Sequence, residues 1–393
     1  MTAADGTLSV AFHLTHNCNL RCVYCYTGAK FGSGMTEAVA DCAADFALTE
    51  ARQQGVGHLE TIFFGGEPLM KLNLLCRIAD RLQNGARRLR TSFKMSTNGT
   101  LLTAGAVEEL ARRRVYVSIS LDGAPETQAT QRPQAAGHDT AASLDEAIDR
   151  LLRWNPCANA HCVVTPTTAG QLDSSVLWLF ARGFAYVSTA LDYSASWTRA
   201  NLNELRGAYE RLAGWYFERT MSGDKLYLSC FDDRIHSRTR GPLNRSERCH
   251  IGHRQFSIAP SGRLYPCVQF VREDEDLSMA LGDVFTGFDS KARAALAACS
   301  EQAKPECAGC VLADRCSSWC ACVNWQSTGR VDRASPLLCE HERLLLPIAD
   351  RLANQLWKRR NAVFLHKHYN PAYPALSFAE RTSIAEAAHE SVE

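Results

Sequence analysis

Three thiols, Cys18, Cys22 and Cys25, lie in a C-x3-C-x2-C spacing directly after an apolar run from Leu8 to Leu14. Thiolates are soft ligands, and three of them in one short loop can hold three corners of a [4Fe–4S] cube. The fourth iron is then free to bind a small molecule and exchange an electron with it. The other chemistry open to such a loop is a structural zinc knuckle, which needs four protein ligands. His13 and His16 are near enough in sequence to supply the fourth.

Further capable residues stand at the ends of later apolar runs. Phe63-Phe64 leads into Gly65-Gly66-Glu67-Pro68. Two glycines allow a tight turn and the close approach of a ligand, and Glu67 offers a carboxylate to an ammonium group. The same letters also read as a glycine turn entering a helix at Pro68. Ser96-Thr97-Asn98-Gly99-Thr100 carries hydroxyls and an amide that can bind a ribose or close an Asx turn. Ser120-Leu121-Asp122-Gly123 is followed by Arg132, whose guanidinium suits a carboxylate. Val163 and Val164 can flank an aromatic ring or simply fill the core. Asp192 and Tyr193 read as substrate contacts or as a solvated loop.

The C-terminal half is rich in thiols. Cys249 is followed by twelve residues, Gly262, four residues and Cys267. The alternating apolar residues around Pro260-Ser261-Gly262 predict a β-hairpin between those two cysteines. Cys307-x2-Cys310-x5-Cys316-x3-Cys320 follows, and then Cys339. Part of this spacing overlaps zinc-ribbon patterns. Cys42, Cys76, Cys157, Cys162 and Cys299 sit in other contexts and read as small core residues.

The elements that would position these groups alternate. Strands are expected at Leu8–Leu14, Thr61–Phe64, Ser92–Ser96, Val115–Ser120, His161–Val164 and Val187–Ala190. Helices are expected at Thr36–Gln54, Leu69–Leu89, Ala104–Arg113, Ala141–Trp154, Ser174–Arg182 and Leu202–Met221. This order predicts an α/β fold of right-handed βαβ units around a parallel sheet. Glu340 to Arg360 has helical periodicity, and residues after Asn361 read as a loosely packed extension. The net charge of +1 gives no electrostatic argument for nucleic acid or an anionic membrane. No apolar run approaches the roughly 20 residues that cross a bilayer. Seventeen cysteines without a signal peptide point to metal or cluster ligands and a cytoplasmic setting.

The triple-cysteine loop, with Tyr24 before its third cysteine, resembles the radical S-adenosylmethionine (radical SAM) superfamily, as does Gly65-Gly66-Glu67-Pro68. The later cysteines resemble its SPASM domain. The resemblance implies a partial (β/α)6 barrel over residues 1–221. A small cysteine-rich SPASM domain with a β-hairpin and helices would follow at 222–345, then a C-terminal helix and tail at 346–393. It implies SAM and three [4Fe–4S] clusters: one on Cys18, Cys22 and Cys25, and two auxiliary. Cys249, Cys267 and Cys320 are implied for the first auxiliary cluster, and Cys307, Cys310, Cys316 and Cys339 for the second. The first set lacks a fourth thiol. Cys230 is the expected candidate, ahead of Cys322, which would point away from Cys320 if that segment were extended; with neither, that cluster keeps an open iron. Gly65, Gly66, Glu67, Pro68, Ser96, Asn98, Ser120 and Arg132 are implied as SAM contacts.

The activity implied is hydrogen abstraction by a 5′-deoxyadenosyl radical from a ribosomally made peptide, giving a C–C or C–S crosslink or an epimer. The rival within the superfamily is an anaerobic sulfatase-maturating enzyme. There an Asp directly follows the cysteine matching Cys267 and acts as a base, whereas this chain has Val268-Gln269. A rival of another class is a non-catalytic Fe–S electron-transfer or zinc-scaffold protein. Expected partners are the precursor peptide, a flavodoxin- or ferredoxin-type electron donor and a separate leader-recognition protein.

Overall fold

The computed structural model describes residues 6–135, 141–241 and 249–390. Strand–helix alternation runs through β1 (Thr7–His13), α1 (Glu37–Gln53), β2 (His58–Phe64), α2 (Leu72–Gly85), β3 (Arg90–Thr97), α3 (Ala104–Arg112) and β4 (Val115–Ser120). It continues with α4 (Pro125–Gln131), α5 (Ala141–Trp154), β5 (Asn159–Val164), α6 (Leu172–Ala181), β6 (Tyr186–Leu191) and α7 (Arg199–Met221). The C-terminal part holds β7 (Tyr227–Leu228), α8 (Ser229–Thr239), β8 (Gln255–Ile258), β9 (Leu264–Tyr265), α9 (Val268–Val271) and α10 (Ser290–Ser300). It closes with α11 (Ala321–Thr328), α12 (Pro336–Lys358), α13 (Ala362–Tyr369) and α14 (Tyr373–Glu390). The six expected strands and six expected helices are all present. Among the described residues no helix is long and apolar enough to cross a membrane.

Two compact units divide the chain. The first comprises residues 1–118, 132–147 and 249–303. Its strands lie in the order β3-β2-β1-β8-β9. β1 pairs in parallel with β2, from Thr7 opposite His58 to His13 opposite Phe64. Strands paired on both sides and covered by helices read as continuous apolar runs, and Val10, Ala11, Phe12 and His13 are all buried. Thr36 caps α1 by accepting from the Val39 amide, and Ala40, Ala43, Ala44, Ala47 and Ala51 form its buried face. The expected hairpin is β8–β9, with Ser257 opposite Tyr265. Gly262 turns it at φ +91°. β8 also pairs in parallel with the other edge of β1, from Ser9 opposite Gln255 to Phe12 opposite Ile258.

The second unit comprises residues 119–131, 148–248 and 304–393. β5, β6 and β7 pair in parallel, with Val164 opposite Leu191 and Tyr186 opposite Tyr227. Ser335 caps α12 and Pro336 occupies its first turn. The stretch after Asn361 is not the loose extension its prolines suggest. Asn361 caps α13, Phe364 is buried, and Lys367 Nζ lies 2.6 Å from Asp232 Oδ1 on α8. The same carboxylate accepts from Tyr216 at 2.8 Å and from the Leu228 amide at 2.7 Å. A buried carboxylate with this many donors anchors α13 to α7 and α8.

Candidate cluster and cofactor site

In the first unit, the segment just before Cys18 is clamped to the end of β2. Leu14 N donates to Phe64 O at 2.8 Å, Gly66 N to Thr15 O at 2.7 Å and Glu67 N to Asn17 O at 2.9 Å. A Cβ on Gly66 would stand 2.0 Å from Asn17 O, and one on Gly65, at φ +141°, would stand 2.7 Å from Thr15 O. The two glycines therefore serve the contact between two backbones, and that contact sets where the thiol loop begins.

Glu67 is 1% exposed. Its Oε1 accepts from Thr97 Oγ1 at 2.6 Å and Leu69 N at 3.1 Å, and its Oε2 accepts from Asn98 N at 2.9 Å. Burial pushes its carboxyl above the ordinary range, although these donors and Arg132 pull the other way. Pro68 opens a single 3-10 turn, Pro68–Lys71, before α2 starts at Leu72. Asn98 Nδ2 donates to Asn19 Oδ1 at 2.9 Å and lies 3.9 Å from Cys18 Sγ. Thr97, one of the hydroxyls in the stretch after β3, and Asn19, which sequence reasoning did not single out, thus complete the link from Glu67 to the thiol loop. Ser96 lies on the other side of β3 from Thr97 by strand alternation. Ser120 is the last residue of β4, in the second unit.

Backbone pairing brings Arg132 to the loop. Arg21 N donates to Pro133 O at 2.7 Å and Ala135 N to Asn19 O at 3.0 Å. Arg132, 8% exposed, then has Nη1 4.0 Å from Cys22 Sγ and its guanidinium 5.3 Å from the centre of the Tyr24 ring. Lys30 Nζ is 3.0 Å from Cys25 Sγ and Thr27 Oγ1 is 3.2 Å from it. Burial would raise the Cys25 thiol, but Lys30 and Thr27 bring it below the ordinary range. Burial raises the Cys18 thiol. Among the described residues no three His, Cys, Asp or Glu side chains converge on a point sized for one metal ion. His13 and His16 lie side by side ahead of the loop. Their rings face each other at 5.0 Å, and His16 stacks on Phe31 at 4.5 Å. Burial takes His13 down to about 3, so its imidazole is neutral.

The later thiols fall into local sets. In the first unit, Cys249 Sγ donates to Gln255 Oε1 at 3.4 Å, and Gln255 Nε2 lies 3.6 Å from Cys267 Sγ. Gln255 opens β8, so the hairpin brings its flanking cysteines to one amide. In the second unit, burial pushes the Cys316 thiol up to about 12, reinforced by Glu342, Cys339 and Cys307. Cys339 is raised by burial with contributions from Cys307 and Cys310. These four thiols are electrostatic neighbours.

Cys320 precedes α11 at its N-cap position, and its Sγ lies 3.4 Å from that of Cys322. The segment is helical, so Cys322 does not point away from Cys320 as an extended chain would require. Cys230, expected at a strand end, lies in the first turn of α8, fully buried, and burial raises its thiol to about 12. Asp192 Oδ1 accepts from Ser194 N at 2.9 Å and from Ser194 Oγ at 2.5 Å, closing its own turn. Tyr193 Oη lies 3.4 Å from His341 Nδ1, and His341 Nε2 lies 2.9 Å from Tyr209 Oη. His341 has no motif around it and was invisible in the sequence.

The sequence profile of the Radical SAM superfamily matches residues 12–166. Residues 12–166 form a radical SAM domain. The chain is 24% identical over 281 residues to a cysteine-type anaerobic sulfatase-maturating enzyme of Clostridium perfringens, covering 65% of this chain and 72% of that protein. It is 27% identical over 280 residues to the PqqA peptide cyclase of Streptomyces rochei, covering 67% and 70%. The match to an uncharacterized protein of Methanocaldococcus jannaschii is 28% identical over 184 residues, 47% of this chain, and spans only 62% of that relative. Among solved structures, anSMEcpe with bound AdoMet and Cp18Cys peptide superposes with a TM-score of 0.76 at 20% identity, over 89% of this chain and 99% of the other. Streptococcus suis SuiB bound to precursor peptide SuiA gives 0.58 at 15% identity, over 86% and 76%. At these identities the likeness establishes the fold, a parallel α/β sheet of the radical SAM type.

Radical SAM domains imply a [4Fe–4S] cluster and SAM, and the donor set here fits both. Each of Cys18, Cys22 and Cys25 has a nitrogen donor near its sulfur, which favours thiolate ligands. Glu67 Oε2 has accepted one hydrogen bond and has a lone pair left for an ammonium group. Its raised carboxyl marks a buried charge that a cation would offset. The Arg132 guanidinium, beside Cys22, suits a carboxylate.

Proposed function

We propose that the protein is a radical SAM peptide maturase. The observation that carries this reading is the convergence of Cys18, Cys22 and Cys25 with Glu67, Asn98 and Arg132 in one unit. Cys18, Cys22 and Cys25 hold the cluster, Glu67 takes the SAM amino group and Arg132 its carboxylate. Gly65, Gly66 and Pro68 shape the turn that presents Glu67, and Ser96, Asn98 and Ser120 serve the nucleoside. When bound, the cluster and SAM supply a 5′-deoxyadenosyl radical that abstracts hydrogen from a peptide, giving a C–C or C–S crosslink or an epimer. The protein positions these groups and excludes water.

Peptide as substrate is supported by relatives named for peptide or sulfatase maturation and by neighbours that bind peptides. Cys307, Cys310, Cys316 and Cys339 are assigned to one auxiliary cluster. Cys249 and Cys267 are proposed as ligands of a second; Cys320, in the other unit, has Cys322 as its adjacent thiol, and Cys230 remains the other candidate to accompany it. Residues 222–345 are the SPASM domain in this reading. Asp192 turns its carboxylate to its own loop, which leaves Tyr193 as the substrate contact at that strand end. Electrons come from a flavodoxin- or ferredoxin-type donor in the cytoplasm, and a separate protein recognises the leader.

Sulfatase maturation is the second reading, favoured by the relative from Clostridium perfringens. Against it stands Val268, which cannot accept a proton where that family places its base. The test incubates reconstituted enzyme with SAM, reductant and either a short peptide encoded beside its gene or a Cys-x-Pro-x-Arg sulfatase peptide. Loss of hydrogen from the first peptide, with 5′-deoxyadenosine released, is expected. Its release must cease when Cys18, Cys22 and Cys25 are all alanine. Aldehyde formation on the second peptide alone would replace the first reading with the second.

A further inference from the structure

Lys30 follows the thiol loop in the first unit, and the chain turns so that its side chain comes back to Cys25. The turn is at Gly28, at φ +72°, whose amide donates to Cys25 O at 3.4 Å. Glu273, just beyond α9, pins it. Its Oε1 accepts from Ala29 N at 2.6 Å, and a Cβ on Gly28 would stand 2.4 Å from the same oxygen. Glu273 is itself flanked by two non-glycine residues in the left-handed region, Arg272 at φ +45° and Asp274 at φ +61°. Such conformations persist only where the surroundings enforce them. Here Tyr265 Oη fixes Asp274 by donating to its Oδ1 at 2.8 Å.

An ammonium group has three N–H donors, and Lys30 directs all three into the loop. They reach Cys25 Sγ at 3.0 Å, Gly28 O at 3.1 Å and Thr27 Oγ1. Thr27 is buried, and its Oγ1 lies 3.2 Å from Cys25 Sγ. Because Thr27 Oγ1 accepts from Lys30 and a thiolate can only accept, the Thr27 hydroxyl donates to Cys25. One sulfur is thus met by two donors, one of them charged and the other polarised by that charge. None of the three groups that Lys30 touches is a carboxylate. Its field also extends past Cys25: burial raises the Cys18 thiol and Lys30 opposes that rise, while burial lowers His13, with His16 and Lys30 lowering it further.

We infer that Lys30 sets the reduction potential of a [4Fe–4S] cluster held by Cys18, Cys22 and Cys25, acting on the Cys25 sulfur directly and through Thr27. This goes beyond the peptide-maturase reading and rests only on the assignment of those three thiols to a cluster. Reduction there takes one electron from the low-potential donor and no proton, so it adds one negative charge beside the ammonium. The reduced state gains more than the oxidised state from a fixed cation and from hydrogen bonds to sulfur, and the potential rises. Lys30 therefore makes the electron easier to accept.

The test is a redox titration of the full reconstituted chain, followed by EPR without SAM. The relevant signal is the one absent from protein with Cys18, Cys22 and Cys25 all alanine. In Lys30→Met its one-electron equilibrium should shift about tenfold toward the oxidised state, a midpoint about 59 mV lower. Lys30→Arg keeps the charge and should restore most of the difference, and Thr27→Val should lower the midpoint by less than Lys30→Met does. An unchanged or higher midpoint in Lys30→Met overturns the inference, as does a Lys30→Arg midpoint equal to that of Lys30→Met. Should Lys30→Met hold no cluster, Thr27→Val decides: its midpoint must fall, and an unchanged one overturns the inference. If the triple-alanine protein loses no signal, the assignment of the thiols fails and the inference falls with it. A signal that is lost there but keeps its midpoint in Lys30→Met sinks the inference alone.

Discussion

Replacing Gly66 with alanine tests how the thiol loop is held. The added Cβ would stand 2.0 Å from Asn17 O and 2.9 Å from His16 O. Both atoms are backbone, so no side chain can rotate away. Either β2's end or the 15–17 segment must move by more than an ångström. Overpacking of this kind costs about 1–3 kcal/mol. The movement also strains the Gly66–Thr15 and Glu67–Asn17 hydrogen bonds, each worth about 0.5–1.5 kcal/mol net. A loss of about 3 kcal/mol lowers Tm by roughly 6–12 °C for a unit of this size. Because Cys18 directly follows Asn17, the displacement should also reduce iron bound at the three-thiol site. The assay is thermal unfolding with iron and sulfide content. Gly105→Ala on α3 is the control, since a Cβ there meets nothing within 4 Å, and its Tm should hold or rise slightly. Full iron content and an unchanged Tm in Gly66→Ala would refute the argument that the glycines serve backbone contact.

Three further outcomes follow from local chemistry. In iron-free protein, the hydrogen bond from Cys322 lowers the Cys320 thiol despite burial; its alkylation should set in at a lower pH than that of an ordinary thiol, and Cys322→Ala should shift it upward while Cys230→Ala leaves it in place. Lys367→Met should cost about 3–5 kcal/mol, because Asp232 is left buried without its ammonium partner. Burial would raise the Asp232 carboxyl, but Lys367 and His368 hold it well below the ordinary value. The stability this confers is present above about pH 3.9 and lost as pH falls through the depressed folded value. Acid unfolding followed by circular dichroism should therefore lose this contribution in Asp232→Asn, and a mutant as acid-sensitive as the parent would contradict the assignment.

Local features were legible in the chain itself. Alternation of apolar runs and helical periods located six strands and six helices, because burial on a parallel sheet imposes those patterns directly on the sequence. The C-x3-C-x2-C loop, Gly65-Gly66-Glu67-Pro68 and the hairpin around Gly262 are each contained in a few consecutive residues, so type and spacing were enough to read them. Conformation over two residues leaves no such pattern. Cys322 lies beside Cys320 because Ala321 begins a helix, and the two-residue spacing carries no signal that separates helix from extended chain.

The tertiary structure decided what distant segments do to one another. Arg132 reaches Cys22 through pairing of residues 19–21 with 133–135, and Glu67 finds Thr97 and Asn98 at the end of the next strand. β8 joins the free edge of β1 although more than two hundred residues of chain separate them. The tail packs on α8 because one buried carboxylate, Asp232, needs Lys367. None of these pairings has a local cost or benefit that could mark the sequence. Their energy exists only once both partners leave water together, so the residue types were written in the chain, but which of them meet was settled by the fold.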